Sequence, residues 1–394
     1  MIRITPVGKG CAVIMTTPLG PPALRAVRRT VLAVLLALTL PGTAAAHGLV
    51  IGFTDNAATL HDLRLAREHA AAEQFLGAQV IRTGVNWNVV EPQRGVWDWS
   101  FYDELYAALA RRRLMILPVL LVTPRWAGAQ PGTMPDTRRD YAQYVAQVVA
   151  RYGPGGTFWR AHPELDQSFA SKWFDLWNEP YLLEYSVNGV SPARYARLVR
   201  AAARAGRAAN PAAKFLIAAE LSWEKRRKRF GGDWIQAMYQ AVPSLNRWFD
   251  GISAHPYTGD VSPKVCDPPP ATHRWQYCRV ADIHDRFAAR GAGDKPVWIT
   301  EIGWATCERR SPCVTPAQQA AYVSNAFDQA ADYPFVEAVL LYTYQDLHPR
   351  IPGDFYGIYY GSTAPKLALP SYVSAVLAYG GLGTTTCRLL SLGC

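Results

Sequence analysis

Two short stretches of this sequence decide the fold, Trp173-Phe-Asp-Leu-Trp-Asn-Glu-Pro180 and Val297-Trp-Ile-Thr-Glu-Ile-Gly-Trp304. Each begins as a largely apolar run and then reaches a glutamate, which is Glu179 in the first stretch and Glu301 in the second. Nearly continuous apolar runs are typical of parallel strands that are buried on both faces of a sheet. The two stretches therefore predict buried parallel strands, each with a carboxylate at its carboxyl end.

Six further apolar runs extend this pattern along the chain. The candidate strands are Leu49–Phe53, Val80–Val85, Met115–Val119, Trp173–Trp177, Phe215–Ala218, Gly251–Ala254, Val297–Thr300 and Ala338–Tyr342. Helical patterns lie between them, the clearest being Thr59–Gly77, Tyr102–Arg112, Ala193–Ala209 and Thr315–Ala331. Eight strand and helix units in series predict the α/β class and a single-domain (β/α)8 barrel, the TIM barrel. An open doubly wound sheet is the alternative, but the first strand is not followed by a glycine-rich phosphate turn.

Residues 1–46 have the features of a secretory signal peptide. A basic segment that ends at Arg29 precedes the apolar run Val31–Leu40, and small residues follow at 44–46. The apolar run is shorter than the roughly 20 residues that a membrane-spanning helix needs. We therefore expect cleavage after residue 46 and secretion to the extracellular space or the cell envelope, an uncleaved N-terminal anchor being the alternative.

The rest of the chain is expected to form a catalytic barrel over residues 47–380 and a C-terminal extension over residues 381–394. Of the 394 residues of the whole chain, 49% are hydrophobic and 18% are charged, which is an ordinary globular composition. The leader contains five of the 41 basic residues and none of the 31 acidic ones, which leaves a mild positive excess. That excess is too small to favour nucleic acid as a partner, and we expect no stable membrane insertion after signal cleavage.

Six of the seven cysteines follow the leader, in three local pairs. The pairs are Cys266 and Cys278, Cys307 and Cys313, and Cys387 and Cys394. An even number of cysteines in an exported chain predicts disulfides, and although six cysteines permit 15 connectivities, we expect local pairs that staple short loops. A zinc site is the alternative, but the pairs lack the two-residue spacing and nearby histidines of such sites. We therefore expect no metal and no cofactor.

The two glutamates point to a particular chemistry. In a (β/α)8 barrel the carboxyl ends of all strands meet at one rim, where catalysis takes place. Glu179 follows the fourth strand and Glu301 the seventh, so we expect both carboxylates at one site. Glycoside hydrolysis uses such a pair, and in a retaining enzyme one acid protonates the leaving oxygen while the other carboxylate attacks the anomeric carbon. For either glutamate alone, an ordinary loop carboxylate would be the simpler interpretation.

The motifs Asn178-Glu179-Pro180 and Thr300-Glu-Ile-Gly-Trp304 resemble those of the clan of retaining (β/α)8 glycoside hydrolases that contains families 5 and 39. The resemblance extends from residue 49 to about residue 377. It implies that Glu179 is the acid/base and Glu301 the nucleophile. It also implies that an arginine supports the nucleophile, that an asparagine binds the sugar 2-hydroxyl, and that a histidine and tyrosine pair contacts the site. The matching residues are Arg82, Asn178, His255 and Tyr257.

Aromatic side chains near the strand ends are candidates for stacking on sugar rings. Trp87 follows the second strand and is the strongest candidate, whereas Trp97 and Trp99 are expected to pack a loop onto the barrel. Trp304 is the last residue of the nucleophile motif and is a further substrate-binding candidate. The clan often has a tryptophan after strand eight, but this sequence has tyrosines there, and we assign the stacking role to Tyr344. This departure leaves the identity of the sugar open.

The sequence therefore predicts a secreted glycosidase. It would cleave a β-linked oligosaccharide or polysaccharide by double displacement through a covalent glycosyl-enzyme. A transglycosylase with the same residues is one alternative, and a non-catalytic carbohydrate-binding barrel is another, against which the presence of both glutamates argues. The basic segment Glu224–Arg229 after strand five is either a solvated loop or a rim that attracts an anionic or cell-envelope glycan.

Overall fold

A computed structural model describes residues 48–221, 232–266, 276–307, 312–351, 353–361 and 364–380. The expected signal peptide, the basic segment 224–229 and the expected pair of Cys387 with Cys394 lie outside these residues. Within the described ranges, no helix is both long enough and apolar enough to cross a membrane.

Eight parallel strands form a closed barrel in the order of the sequence, with the first strand paired to the eighth. The strands are β1 Val50–Thr54, β2 Val80–Asn86, β3 Met115–Leu121, β4 Trp173–Leu176, β5 Lys214–Ala219, β6 Gly251–Ala254, β7 Val297–Ile302 and β8 Val336–Leu341. The closed barrel confirms the predicted fold and excludes the open doubly wound sheet. Every predicted strand is present, with its ends displaced by one or two residues in most cases.

Helices connect the strands on the outside of the barrel. They are α1 Leu63–Phe75, α2 Trp87–Val90, α3 Ser100–Arg111, α4 Arg138–Tyr152, α5 Thr157–Ala161, α6 Pro192–Ala209, α7 Trp234–Ala241, α8 Arg279–Ala288, α9 Pro316–Asp332 and α10 Ala368–Tyr379. Short 3₁₀ turns lie at Gln167–Phe169, Leu183–Tyr185 and Leu245–Arg247. Three of the four predicted helices begin at side-chain caps. Asp62 caps α1, Ser191 caps α6, and Thr315 forms a reciprocal capping box with Gln318 at α9.

The core has two layers. The larger layer packs the outer faces of the strands against the helices, and the smaller one lies inside the barrel. Trp173 on β4 and Trp298 on β7 have ring centroids 5.1 Å apart, although these strands are not neighbours, so their contact must cross the barrel interior. The interior layer consists of Val80, Leu117, Trp173, Leu216, Trp298, Ala338 and Leu340. This layer closes the amino-terminal part of the barrel and leaves the carboxyl ends for the site.

Two of the three expected disulfides lie within the described residues, and both are formed. Cys266 is bonded to Cys278 with Cα atoms 6.0 Å apart. Cys307 is bonded to Cys313 with Cα atoms 5.5 Å apart. The first bridge joins the segment after β6 to the start of α8, and the second closes the loop that follows β7. Both pairs are local, as the sequence predicted.

Candidate active site

The carboxyl ends of the strands surround a cavity of about 980 Å³. Both motif glutamates line this cavity, together with all four residues that the clan resemblance added to them. These residues are Arg82, Asn178, Glu179, His255, Tyr257 and Glu301. The structure thus brings six of the nine predicted catalytic and substrate-binding residues to one place.

The end of β4 turns sharply to direct Glu179 into the cavity. Trp177 and Glu179 have backbone φ values of 72° and 36°, a left-handed conformation that residues other than glycine rarely adopt. The Trp177 indole anchors this turn, because its Nε1 donates to the carbonyl of Tyr185 at 2.7 Å. Such conformations cost about 1–3 kcal/mol each and are concentrated at functional sites. The strand therefore ends at Leu176, one residue earlier than the sequence predicted.

Both carboxylate oxygens of Glu301 accept hydrogen bonds from buried donors. Arg82 Nη1 donates to Oε1 at 2.5 Å, and the Tyr257 hydroxyl donates to Oε2 at 3.0 Å. Burial alone would raise the pKa of Glu301. The positive charges of His255 and Arg82, together with the hydrogen bonds from Tyr257 and Arg82, outweigh burial and hold this pKa below its ordinary value. Glu301 is therefore an ionised carboxylate in a fixed orientation.

Arg82 is held in place by three partners. Besides Glu301, its Nε donates to Asp175 Oδ2 at 2.9 Å and its Nη2 donates to Asn178 Oδ1 at 2.8 Å. Burial tends to lower the pKa of Arg82, but the charges of Asp175 and Glu301 outweigh burial and raise this pKa above its ordinary value. Arg82 is thus a permanent cation. The sequence did not single out Asp175, although a charged residue inside a buried strand was a signal for such a partner.

His255 lies between the two glutamates. Its Nδ1 is 3.1 Å from Glu179 Oε1 and 3.6 Å from Glu301 Oε2. Burial lowers the pKa of His255, but the charge of Glu301 and the hydrogen bond and charge of Glu179 outweigh it and raise this pKa overall. The Tyr181 hydroxyl donates a longer hydrogen bond of 3.4 Å to Glu179 Oε1. The site thus contains two carboxylates that share one imidazole nitrogen.

The structure does not bring Trp87, Trp304 or Tyr344 to the cavity, which corrects the sequence-based assignments. All three side chains are buried elsewhere. Trp87 stacks on Tyr144 with ring centroids 5.3 Å apart, and its Nε1 donates to Glu91 Oε2 at 2.7 Å. The Trp304 Nε1 donates to the hydroxyl of Thr258 at 2.7 Å.

Tyr344 packs in the core between the barrel and the helices, with its ring centroid 4.9 Å from that of His69. These three aromatic side chains therefore stabilise the fold and cannot stack on a substrate in this structure. Trp97 and Trp99 stack on each other, with ring centroids 5.5 Å apart, and pack against the core. That arrangement is the packing role that the sequence predicted for this pair.

Tyr342, two residues before Tyr344, lines the cavity. Its hydroxyl accepts a hydrogen bond from Asn56 Nδ2 at 2.9 Å and donates to Asp354 Oδ2 at 3.2 Å. The inward alternation of β8 continues through Leu340 to Tyr342, so strand periodicity could have identified it. Asn56 and Asn86 also line the cavity and were missed.

No group of three or more histidine, cysteine, aspartate or glutamate side chains within the described ranges has an arrangement that could hold a metal ion.

No known family profile and no curated protein sequence matches this chain. Solved structures do match it. A family 39 glycoside hydrolase from the gut symbiont Bacteroides cellulosilyticus WH2 is 20% identical with a TM-score of 0.58, and the match covers 87% of this chain and 66% of that one. A monomeric β-xylosidase from Caulobacter crescentus CB15 is 18% identical with a TM-score of 0.61, covering 84% of this chain and 68% of that one.

GH5_18 from Streptomyces cattleya, solved in complex with GlcNAc, is 16% identical with a TM-score of 0.60. That match covers 86% of this chain and 82% of the other. The chain thus has the (β/α)8 fold that glycoside hydrolases of families 39 and 5 also have. At these identities the likeness concerns the fold, and any argument about function depends on the side chains of the site.

Proposed function

We propose that this protein is a retaining β-glycoside hydrolase, with Glu301 as the nucleophile and Glu179 as the general acid and base. The observation that carries this proposal is the contact of both carboxylates with one nitrogen atom of His255, at 3.1 and 3.6 Å. These two distances add up to the greatest separation that the two oxygens can have, about 6.7 Å. This closeness supports a retaining pair, with carboxyls about 5–5.5 Å apart, over the wider spacing of about 6.5–9.5 Å in inverting enzymes.

In the first step, a carboxylate oxygen of Glu301 attacks the anomeric carbon while Glu179 donates its proton to the departing glycosidic oxygen. The bond from Glu301 to the sugar forms as the glycosidic bond breaks. In the second step, Glu179 takes a proton from water, which attacks the same carbon and releases Glu301. The donors Arg82 and Tyr257 support this role because they hold Glu301 ionised and oriented before the attack.

Asn178 is the proposed partner of the sugar 2-hydroxyl. Its Oδ1 accepts from Arg82 Nη2 at 2.8 Å, which fixes the orientation of the side-chain amide. Nδ2 is then the donor that can meet a hydroxyl oxygen of the substrate. Such a hydrogen bond strengthens as the transition state forms, so it contributes to rate as well as to binding.

The described lining of the cavity favours a neutral glycan. Its acidic residues include Glu184, Glu220 and Asp260 in addition to the two catalytic candidates. Its arginines, Arg82 and Arg279, are both paired with carboxylates. A β-xylosidase and a complex with GlcNAc among the similar structures support a neutral sugar as well.

An anionic glycan stays a prediction that depends on the basic segment 224–229, outside the described residues. Location outside the cytoplasm is part of the proposal too. The two disulfides support it, because such bonds persist in oxidising compartments.

The test is kinetic and uses aryl β-glycosides of several sugars with a good leaving group. Glu301→Gln should lower turnover by orders of magnitude on every glycoside that the wild type cleaves. Glu179→Ala should spare the first step, which needs little protonation, and slow the second. Added azide should restore turnover of Glu179→Ala and yield a β-glycosyl azide. The exposed Glu164→Gln is the matched control and should behave as the wild type.

The two alternatives give different results in the same assay. A transglycosylase would release the aryl group but transfer the sugar to an added acceptor sugar in preference to water. A non-catalytic barrel would release nothing even as the wild type. Near-normal turnover of Glu301→Gln or Glu179→Ala would remove that glutamate from the mechanism.

A further inference from the structure

Strand β2 directs more side chains into the barrel than the mechanism above uses. Side chains alternate along a strand, so Val80, Arg82, Gly84 and Asn86 share the inward face. Val80 belongs to the interior core layer and Arg82 contacts Glu301. Gly84 and Asn86 line the cavity above them. Asn86 is therefore the last inward side chain of this strand before the mouth.

The side chain of Asn86 is buried with an unused acceptor. Asn86 is 5% exposed, and its Oδ1 has no hydrogen-bond partner among the described residues. Its backbone nitrogen is satisfied, because it donates to the Tyr102 hydroxyl at 2.7 Å. A buried acceptor without a donor is costly and uncommon in folded proteins. At the wall of a substrate cavity, a donor on the bound ligand would offset that cost.

The neighbouring Gly84 keeps this acceptor in position. A Cβ atom at residue 84 would lie 2.6 Å from Asn86 Oδ1 and 3.2 Å from Leu121 Cδ2. Any larger residue would therefore force the Asn86 amide to rotate. Since the obstructing atom is the end of a flexible side chain, alanine at residue 84 should disturb that amide and leave the strand intact.

The strand register gives the height of Asn86 in the barrel relative to Asn178, the proposed partner of the sugar 2-hydroxyl. Asn86 is paired with Leu121 on β3, and the preceding residue of β3, Leu120, is paired with Leu176 on β4. Asn86 therefore enters the mouth about one residue below Asn178. The apolar Leu121, which also lines the cavity, separates the two asparagines.

We propose that Asn86 is a specificity-determining residue whose Oδ1 accepts a hydrogen bond from a ring hydroxyl of the bound sugar, at a carbon beyond C2. This inference rests on the proposed glycosidase function. Asn178 holds the 2-hydroxyl from β4, so the wall formed by β3 and β2 faces the next carbons of the ring. The acceptor selects a hydroxyl or an amide N–H at that position, and it disfavours a carboxylate, which has no proton to donate.

The experiment uses the full chain and the aryl β-glycoside that the wild type cleaves best, together with its 3-deoxy and 4-deoxy analogues. Asn86→Ala should lower kcat/KM on the parent glycoside by about 5–100-fold, as expected when a buried hydroxyl loses its acceptor. On one of the two deoxy analogues, the wild type and Asn86→Ala should have equal kcat/KM. Gly84→Ala should reproduce the loss on the parent glycoside with Asn86 still present.

Asn88→Ala is the matched control, because the Asn88 Oδ1 is also buried without a partner among the described residues but does not line the cavity. Its kcat/KM should equal that of the wild type. If the wild type cleaves the parent glycoside but Asn86→Ala stays within about twofold of it, this inference alone is overturned. The same conclusion follows if Asn86→Ala loses equally on all three glycosides. A wild type that cleaves no aryl glycoside overturns the proposed function, and this inference with it.

Discussion

Arg82 Nη1 donates a 2.5 Å hydrogen bond to Glu301 Oε1, and this contact joins the second strand of the barrel to the end of the seventh. The same guanidinium binds Asp175 and Asn178 on the far side. One buried cation on β2 therefore fixes groups from β4 and β7 at once. Because the contact also stabilises the ionised form of Glu301, it couples the orientation of this carboxylate to its pKa.

Replacing this guanidinium should move the pH dependence of activity. Glu301 must be ionised to attack, so activity is lost as the pH falls through its pKa, and Arg82 helps to keep that pKa low. A lysine cannot form the same set of contacts. Arg82→Lys should therefore shift the acid limb of the kcat/KM profile to higher pH and lower its plateau by about 10–100-fold. The profile should be measured beside Arg94→Lys, which alters the ion pair of the exposed Arg94 with the buried Asp140, away from the cavity. An unmoved acid limb would contradict this account of Glu301.

Substitution of Trp87, which the sequence favoured as a stacking residue, should affect stability and spare catalysis. Substitution of Tyr342, which the sequence missed, should do the opposite. Trp87→Phe removes a buried indole and leaves Glu91 Oε2 without its donor. It should lower the free energy of unfolding by about 1–3 kcal/mol and spare kcat/KM. Tyr342→Phe removes the hydroxyl that joins Asn56 to Asp354 at the cavity wall. It should change KM and affect stability less. Melting curves and kinetics on the same samples check both, and a KM change in Trp87→Phe would restore it to the site.

The two disulfides predict which cysteine-containing peptides stay linked when the unreduced protein is digested. Digestion of the oxidised protein without reductant should yield peptides linked through Cys266–Cys278 and through Cys307–Cys313. The pair Cys387–Cys394, outside the described residues, is expected as well. Replacing both members of the first pair with serine should lower the free energy of unfolding by about 2–4 kcal/mol. Free thiols or crossed pairs in the mass map would be incompatible with these bridges.

How far the sequence reveals the site depends on whether strand alternation still applies at a residue. Glu179 and Glu301 line one cavity, as the sequence predicted, because polar residues at the ends of buried parallel strands meet at one rim. Trp87 was misassigned, although β2 already contained the correction: Arg82 faces inward, so residues 84 and 86 do too, and residue 87 faces the helices. Tyr344 was misassigned for another reason. Strand β8 ends at Leu341, and alternation no longer predicts orientation three residues later.

Other parts of the structure had no local signal. Glu73 is buried beside Asp55, and the hydrogen bond of 2.8 Å between His69 Nδ1 and Asp55 Oδ2 joins the segment after β1 to α1. Contacts between a strand end and the side of a helix depend on how the helix packs, which no periodicity specifies. Hence the barrel, the shared location of the two glutamates and the pairing of Arg82 with Glu301 were predictable, whereas the cluster of charges buried between β1 and α1 was not.

The buried Glu73 should make stability depend on pH. Burial, and next the charge of Asp55, raise the pKa of Glu73 well above its ordinary value. A carboxyl with a raised folded-state pKa binds its proton more tightly when folded, so it lowers stability as the pH rises above its unfolded-state pKa. Glu73→Gln resembles the protonated form. Its stability relative to the wild type should increase by about 1.4 kcal/mol per pH unit until the pH reaches the folded-state pKa. Melting at pH 4 and pH 7, beside the exposed Glu68→Gln, measures this, and an equal difference at both would refute it.

The stereochemistry of the product tests the assignment of Glu301 separately from its importance. Direct attack by Glu301 inverts the anomeric carbon once, and attack by water on the glycosyl-enzyme inverts it again, so the first product must keep the β configuration. An enzyme in which Glu301 only activated water would invert once and release the α-anomer. Loss of activity in Glu301→Gln cannot separate these cases, because both need the carboxylate.

Proton NMR separates the two cases, since the anomeric protons of the α- and β-products resonate at different positions. The spectra must be recorded in the first minutes, before mutarotation interconverts the anomers. The wild type on an aryl β-glycoside should show the β-anomer first. The contact of both carboxylates with His255 Nδ1 is the structural reason, because such closeness leaves little room for a water between Glu301 and the sugar. A control reaction without enzyme sets the rate of mutarotation. An α-anomer that appears first would overturn the nucleophile assignment even if both glutamates proved essential.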